Sequence, residues 1–173
     1  MIVGIDPGVT GALAFFEPES NYLTVHDMPS FHITVGSSSR AVIDYYGLTD
    51  LIESHALSLE LAVVEEVNAM PSTGPAKGGQ RRSMGATSAF RFGEVYGAVQ
   101  AAVAACDVPV ERVKPAGWKK VMRLKTDKDA SRQRASELFP QHAGQWARVK
   151  DHDRAEAVLL AVLGQRLLEK GRK

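Results

Sequence analysis

The chain has 173 residues, 45% hydrophobic and 24% charged, the balance of an ordinary globular domain with enough sequence for its own core. No apolar run is long enough to span a bilayer, and the "MIVGIDPG" start lacks the basic residues and small-residue cleavage site of a signal peptide. The net charge of +1 hides an asymmetry: residues 1–70 hold one basic and ten acidic residues (net −9), and residues 71–173 hold twenty basic and ten acidic (net +10), which suggests one face for a polyanion.

"MIVGID" reads as a buried strand that ends in Asp6. "PGVTG" follows as a turn, its glycines free to take positive φ. "ALAFFEP" pairs back as a second strand and "YLTVHDMP" is a third, while residues 30–40 read as a flexible loop or an edge strand. A helix is expected in the second half of "AVIDYYGLTDLIESHA", with Thr49 or Asp50 near its start. "LELAVVEEV" is a fourth strand, and it ends in Glu65 and Glu66. Alternation along a strand lets only one of that pair share a face with Asp6.

Residues 68–88 are rich in Gly, Pro and Ser and read as a long loop, the kind that is functional or disordered in compact domains. The helix "AFRFGEVYGAVQAAVAAC" sets Gly93 and Gly97 on one side, and Cys106 among alanines reads as a small buried residue. A single cysteine excludes an intrachain disulfide and a cysteine-built zinc cluster, and suits a reducing, cytoplasmic setting. "VPVERV" is a short strand and "PAGWKKVM" a short helix with Pro115 in its first turn. "DKDASRQRASELFP" is a helix stopped by Pro140, and the last helix runs from about Lys150 to Lys170 before a frayed tail. With no internal repeat and no second core, residues 1–173 form one α/β domain with a mixed sheet and helices on both faces.

Chemistry collects where strands end. In an open α/β sheet ligands gather beyond the strand tips, so neighbouring strands would join Asp6 to one glutamate. The last helix could add Glu156 with Asp153 or His152, which lie three and four residues before it on one helical face. Clustered carboxylates repel one another unless a cation intervenes, and Mg²⁺ or Mn²⁺ prefers such oxygen ligands. Opposite them lies "RVKPAGWKKVMRLKTDKDASRQR", residues 112–134, with nine basic residues against two acidic ones. Carboxylates facing a basic segment point to phosphodiester chemistry on a nucleic acid. Trp118 reads as a core anchor beneath this patch rather than a base-stacking platform, and Trp146 as packing for the last helix.

Six motifs in order are more specific than any one of them: "GIDPGVTGALA" (4–14), "VVEE" (63–66), "PAGWKK" (115–120), "KDASR" (128–132), "ASELFP" (135–140) and "KDHDRAEAVLLA" (150–161). Together they resemble the RuvC-like Holliday junction resolvases of the ribonuclease-H-like superfamily. The nearest branch is the one shared by bacteriophage resolvases and the plant plastid resolvase. The resemblance implies a mixed five-stranded sheet flanked by helices on both faces. It also implies a metal-dependent endonuclease that resolves four-way DNA junctions by paired symmetric hydrolysis, in a bacterial or phage-infected cell.

By the same resemblance Asp6, Glu65, Asp153 and Glu156 hold Mg²⁺ or Mn²⁺, two ions per site, with His152 and Asp151 as alternative ligands. Lys128 and His152 match catalytic positions of the plastid branch. Lys77, Gln80, Arg81, Arg82, Lys119, Lys120, Lys125 and Arg132 would contact DNA, with Met70 as a wedge beside the first four. Two symmetric nicks call for a homodimer, for which the Gly93/Gly97 helix with Ala98, Ala101, Ala102 and Ala105 is the candidate interface. The alternatives are a junction-binding protein without cleavage and a ribonuclease-H-type enzyme acting on RNA–DNA hybrids.

Overall fold

In the computed structural model, which describes residues 1–66, 85–124, 127 and 129–171, three antiparallel strands open the chain: β1 (Ile2–Asp6), β2 (Ala12–Glu17) and β3 (Tyr22–Asp27). β4 (Ser30–Val35) and β5 (Ser38–Ile43) form a separate hairpin. After α1 (Tyr45–Glu53), β6 (Leu61–Glu65) pairs parallel with β1; after α2 (Ala86–Ala105), β7 (Val110–Val113) pairs parallel with β6. α3 (Pro115–Val121), α4 (Ala130–Leu138) and α5 (His152–Gly171) complete the chain. The main sheet therefore runs β3-β2-β1-β6-β7, the expected mixed five-stranded sheet.

Alternation along the strands divides the core into two halves. Ile2, Ala12, Ala14, Leu61 and Val63 face α5 and bury Trp118, Phe139 and Trp146 with it. Val3, Ile5, Leu13, Ala62 and Val64 face the other way, against Leu48 and Ile52 of α1 and Val95, Val99 and Val103 of α2. Helices thus cover both faces. α5 lies closest to the sheet because small residues meet there: a Cβ on Gly4 would stand 2.1 Å from the Ala157 carbonyl oxygen, and one on Gly164 would stand 2.6 Å from Ile2.

Several local expectations need correction. Residues 30–40 are not a loop; of the two readings the edge strand holds, since they lie within the β4–β5 hairpin, a separate two-stranded sheet that turns at Gly36 (φ +62°). α1 starts at Tyr45 rather than near Thr49, because the Asp44 side chain accepts a hydrogen bond from the Gly47 N–H and caps it. α2 begins at Ala86, inside the segment expected to be loop. In the β1–β2 turn neither glycine has positive φ; Gly11 is there for close approach, since a Cβ would stand 2.1 Å from the Asp6 carbonyl oxygen. Cys106 is half-buried. Among the described residues no helix is long and apolar enough to cross a membrane.

Candidate active site

Asp6 and Glu65 end two adjacent parallel strands. The pairing of Gly4 with Val63 and Ile5 with Val64 brings their tips side by side. Ile2 and Leu61 put the odd residues of β6 and the even ones of β1 on the α5 face, so Glu65 shares Asp6's face and Glu66 turns to the other. α5 supplies the remaining carboxylates. Ala157 sits over Gly4, and Asp153 lies one helical turn earlier, over Asp6 two residues further along β1.

The electrostatics record this convergence. Burial, the charges of Asp153, Glu156 and Glu65, and a hydrogen bond with Asp153 hold the Asp6 pKa well above the usual carboxylate range. Asp153 is also raised, chiefly by burial, although His152 and the hydrogen bond with Asp6 oppose the shift. Burial raises Glu65 against the opposing pull of Trp118 and Lys119.

Two residues of α3 reach into this cluster. The Trp118 indole, buried in the core as expected, donates its Nε1–H to Glu65 Oε2. Lys119 Nζ donates to Glu156 Oε1 at 2.9 Å and Oε2 at 3.0 Å, and Ser131 Oγ donates to the same Oε1 at 2.8 Å. Burial works against the Lys119 charge, but Glu156, Glu65 and Asp6 raise its pKa on balance. Lys119, expected among the DNA contacts, thus stands among the carboxylates. Ser131 escaped notice in the sequence, although the "KDASR" motif contains it.

The other expected residues sort plainly. His152 Nε2 lies 2.7 Å from Asp153 Oδ1, and its Nδ1 lies 3.3 Å from the Val149 carbonyl oxygen. Asp151 is turned away: both its oxygens bind the Arg148 guanidinium and one also accepts the Arg148 backbone N–H, so it does not join the cluster. Arg132 is tied to the Ala147 carbonyl oxygen and to Asp129. Lys120 is exposed beside the cluster. Met70, Lys77, Gln80, Arg81, Arg82, Lys125 and Lys128 lie outside the described residues. Sequence reasoning missed the Arg154–Asp27 pair, a two-pronged ion pair that ties the first turn of α5 to the end of β3.

A hard divalent cation fits the chemistry of this donor set, which is all carboxylate and has a buried member made costly to ionise by its neighbours. As the side chains stand, no group of three or more His, Cys, Asp or Glu forms a ready cage among the described residues. Lys119 holds Glu156 instead.

No protein-family model matches the chain, and no curated protein does. Among solved structures, RuvC of Thermus thermophilus aligns over 96% of this chain and 95% of its own, with a TM-score of 0.54 and 17% identity. The same enzyme in complex with a Holliday junction substrate aligns over the same shares, with a TM-score of 0.54 and 16% identity. The yeast mitochondrial Holliday junction resolvase Ydc2 aligns over 92% of this chain and 75% of its own, with a TM-score of 0.46 and 15% identity. The chain has the RuvC-type, ribonuclease-H-like fold.

Proposed function

We propose that the protein is a metal-dependent endonuclease that resolves four-way DNA junctions. The observation that carries this reading is the convergence of four carboxylates, Asp6 and Glu65 at the tips of two adjacent parallel strands and Asp153 and Glu156 on α5. Burial and the three neighbouring charges push the Asp6 carboxyl up there. A protein gains nothing in folding from packing four acids together; the arrangement makes sense as a site for cations. The whole-chain likeness to RuvC, solved with a Holliday junction substrate, and the basic α3–α4 segment beside the carboxylates support branched DNA as the substrate.

Asp6, Glu65, Asp153 and Glu156 would hold Mg²⁺ or Mn²⁺, which when bound activates water and stabilises the leaving oxygen in phosphodiester hydrolysis. The chain's own residues prepare the site. Trp118 fixes the Glu65 carboxylate by its N–H, and Ser131 holds Glu156. His152 orients Asp153 through the contact at Oδ1. Lys119 neutralises Glu156 in the resting site and, being partly exposed, can shift its ammonium toward a phosphate group. Exposed Lys120 and Arg123 supply sequence-independent phosphate contacts. Lys128 is assigned its catalytic role by the family resemblance alone.

A homodimer would place two such sites on a two-fold substrate. Gly93 and Gly97 turn away from the sheet, with nothing within 4 Å of a Cβ at either, while Val95, Val99, Ala102 and Val103 make the buried face of α2. With Ala101 and Ala105 they line a shallow groove closed by Tyr45 and Leu48 of α1, which would admit the same helix of a second copy.

The test is nicking of a synthetic four-way junction, a linear duplex and an RNA–DNA hybrid with Mg²⁺ or Mn²⁺ and with a chelator. The expected result is paired nicks confined to the junction and dependent on the ion. Junction binding without nicks would make the protein an architectural binder, and preference for the hybrid would make it a ribonuclease.

A further inference from the structure

We propose that the groove between β5 and the first half of α2 binds a DNA strand beside the carboxylate centre. Phe90 would stack on a base, and Arg40 and Arg91 would take the flanking phosphates. The inference rests on the nuclease reading for its substrate, but on different residues.

The groove encloses about 470 Å³ and is lined by Val9, Arg40, Ile43, Thr87, Phe90 and Arg91 among others. It adjoins the carboxylates through the β1–β2 turn. Val9 follows Asp6 by three residues, a span of at most about 10 Å. A Cβ at Gly8 would stand 3.9 Å from the Phe92 ring, so the turn rests on the same stretch of α2. The turn thus leads from Asp6, on the α5 face of the sheet, round the strand tip to the groove on the α2 face.

Three observations define the occupant. Phe90 is 77% exposed, a large ring with no place in either half of the core. Arg40 is half-buried, and its Nε is closed off from solvent without a hydrogen-bond partner. Among the described residues neither the Arg40 nor the Arg91 side chain takes part in a hydrogen bond or ion pair. Guanidinium groups that line a groove without a carboxylate partner can take a phosphate oxygen, with the charge-assisted geometry arginine favours.

The charge balance agrees. Residues 30–43 contain no acidic side chain, and among the described residues the one carboxylate lining the groove, Glu94, already accepts the Tyr45 hydroxyl at 2.6 Å. An apolar peptide would cover Phe90 but bring no counter-charge to the two arginines. A planar ring next to two uncommitted arginines is the chemistry that holds single-stranded nucleic acid.

The test measures binding in chelator, so that cleavage plays no part. Anisotropy of a labelled ten-residue oligothymidylate and of a four-way junction is followed for wild type, Phe90→Ala, Phe90→Tyr and the double variant Arg40→Gln, Arg91→Gln, with thermal melting as the control on folding. Phe90→Ala should weaken oligothymidylate binding about fivefold or more and Phe90→Tyr should restore it. The arginine variant should lower the salt dependence of log K by about 1.4, two phosphates at about 0.7 each.

Unchanged affinity and salt slope in folded variants would overturn the proposal, as would a change in mass by light scattering with DNA binding intact. If the wild type nicks junctions while these variants bind normally, the groove is wrong and the nuclease reading stands. If it binds oligothymidylate through these residues yet cuts no DNA, the reverse holds.

Discussion

Gly4 of β1 lies directly beneath the Ala157 carbonyl of α5, so close that a methyl group on Gly4 would stand 2.1 Å from that oxygen and 2.3 Å from the Ala161 nitrogen. The approach brings Asp153 and Glu156 down to Asp6, and it depends on a residue with no side chain. Gly4→Ala must push the helix away. Overpacking of this kind costs about 1–3 kcal/mol, and a domain of this size loses about 2–4 °C of Tm per kcal/mol. Melting should show that loss, and Mn²⁺ titration should show weaker binding. A variant with wild-type Tm and wild-type Mn²⁺ affinity would mean that the helix is not held by this contact.

Asp6 gives a pH dependence of definite sign. Its folded pKa is raised, so its favourable contribution is complete only below the unfolded value of about 3.9 and is lost as pH rises through the folded value. Metal-free protein should therefore lose stability from this group on going from acid toward neutral pH. Asp6→Asn should melt a few degrees higher than wild type at pH 7 in chelator, and the difference should shrink as pH falls. Added Mg²⁺ should stabilise the wild type more than the variant. Equal melting curves across the pH range would remove the strain assigned to this carboxylate.

Lys119 balances Glu156 when no ion is present. Its side chain is 38% exposed, so solvent screening limits the pair to about 1 kcal/mol. Lys119→Met should lower Tm in chelator by about 2–4 °C and recover most of the difference when Mg²⁺ is added, because the ion takes over the neutralising role. Single-turnover cleavage should still be slow. A loss of stability that Mg²⁺ does not repair would assign the lysine to packing alone.

The Arg154–Asp27 pair anchors the first turn of α5, two residues before Glu156. The Arg154 hydrogen bonds hold the Asp27 pKa below its ordinary value, so its contribution is present above about 3.9 and is lost as pH falls through the folded value. Asp27 is 67% exposed, and Asp27→Asn should cost no more than about 1 kcal/mol. Its effect should appear in kcat more than in Tm, since the α5 start would be less firmly placed. Equal kcat in the variant would confine the pair to the surface.

The sheet and the candidates for its clustered acids were legible from the chain because they follow from period and position. The choice of Glu65 over Glu66 rested on the family resemblance, and the choice between His152 and Asp153 stayed open. Asp6 and Glu65 end apolar runs, and alternation admits only one glutamate to Asp6's face; the register of β1 on β6 selects Glu65. The 150–161 segment was legible as a helix with its acids on one side. What could not be read was which cation meets which acid. Lys119 and Lys120 are adjacent and alike in sequence, yet helix α3 turns one to Glu156 and the other to solvent. Likewise Asp151 and Asp153 are two residues apart, and only the 3-10 turn before α5 gives Asp151 to Arg148. The β4–β5 hairpin was obscured because its strands are mostly exposed and lack the alternation that burial imposes.

The most direct measurement is single-turnover cleavage of a four-way junction by wild type and Asp6→Asn, with junction affinity measured alongside. DNA affinity should come mainly from basic side chains, whereas hydrolysis should depend on the charge at Asp6. The expected result is that the variant binds the junction as wild type does and makes no nicks at any Mg²⁺ or Mn²⁺ concentration. Cleavage by folded Asp6→Asn at the wild-type rate would contradict the assignment of the hydrolytic centre to the Asp6, Glu65, Asp153 and Glu156 cluster.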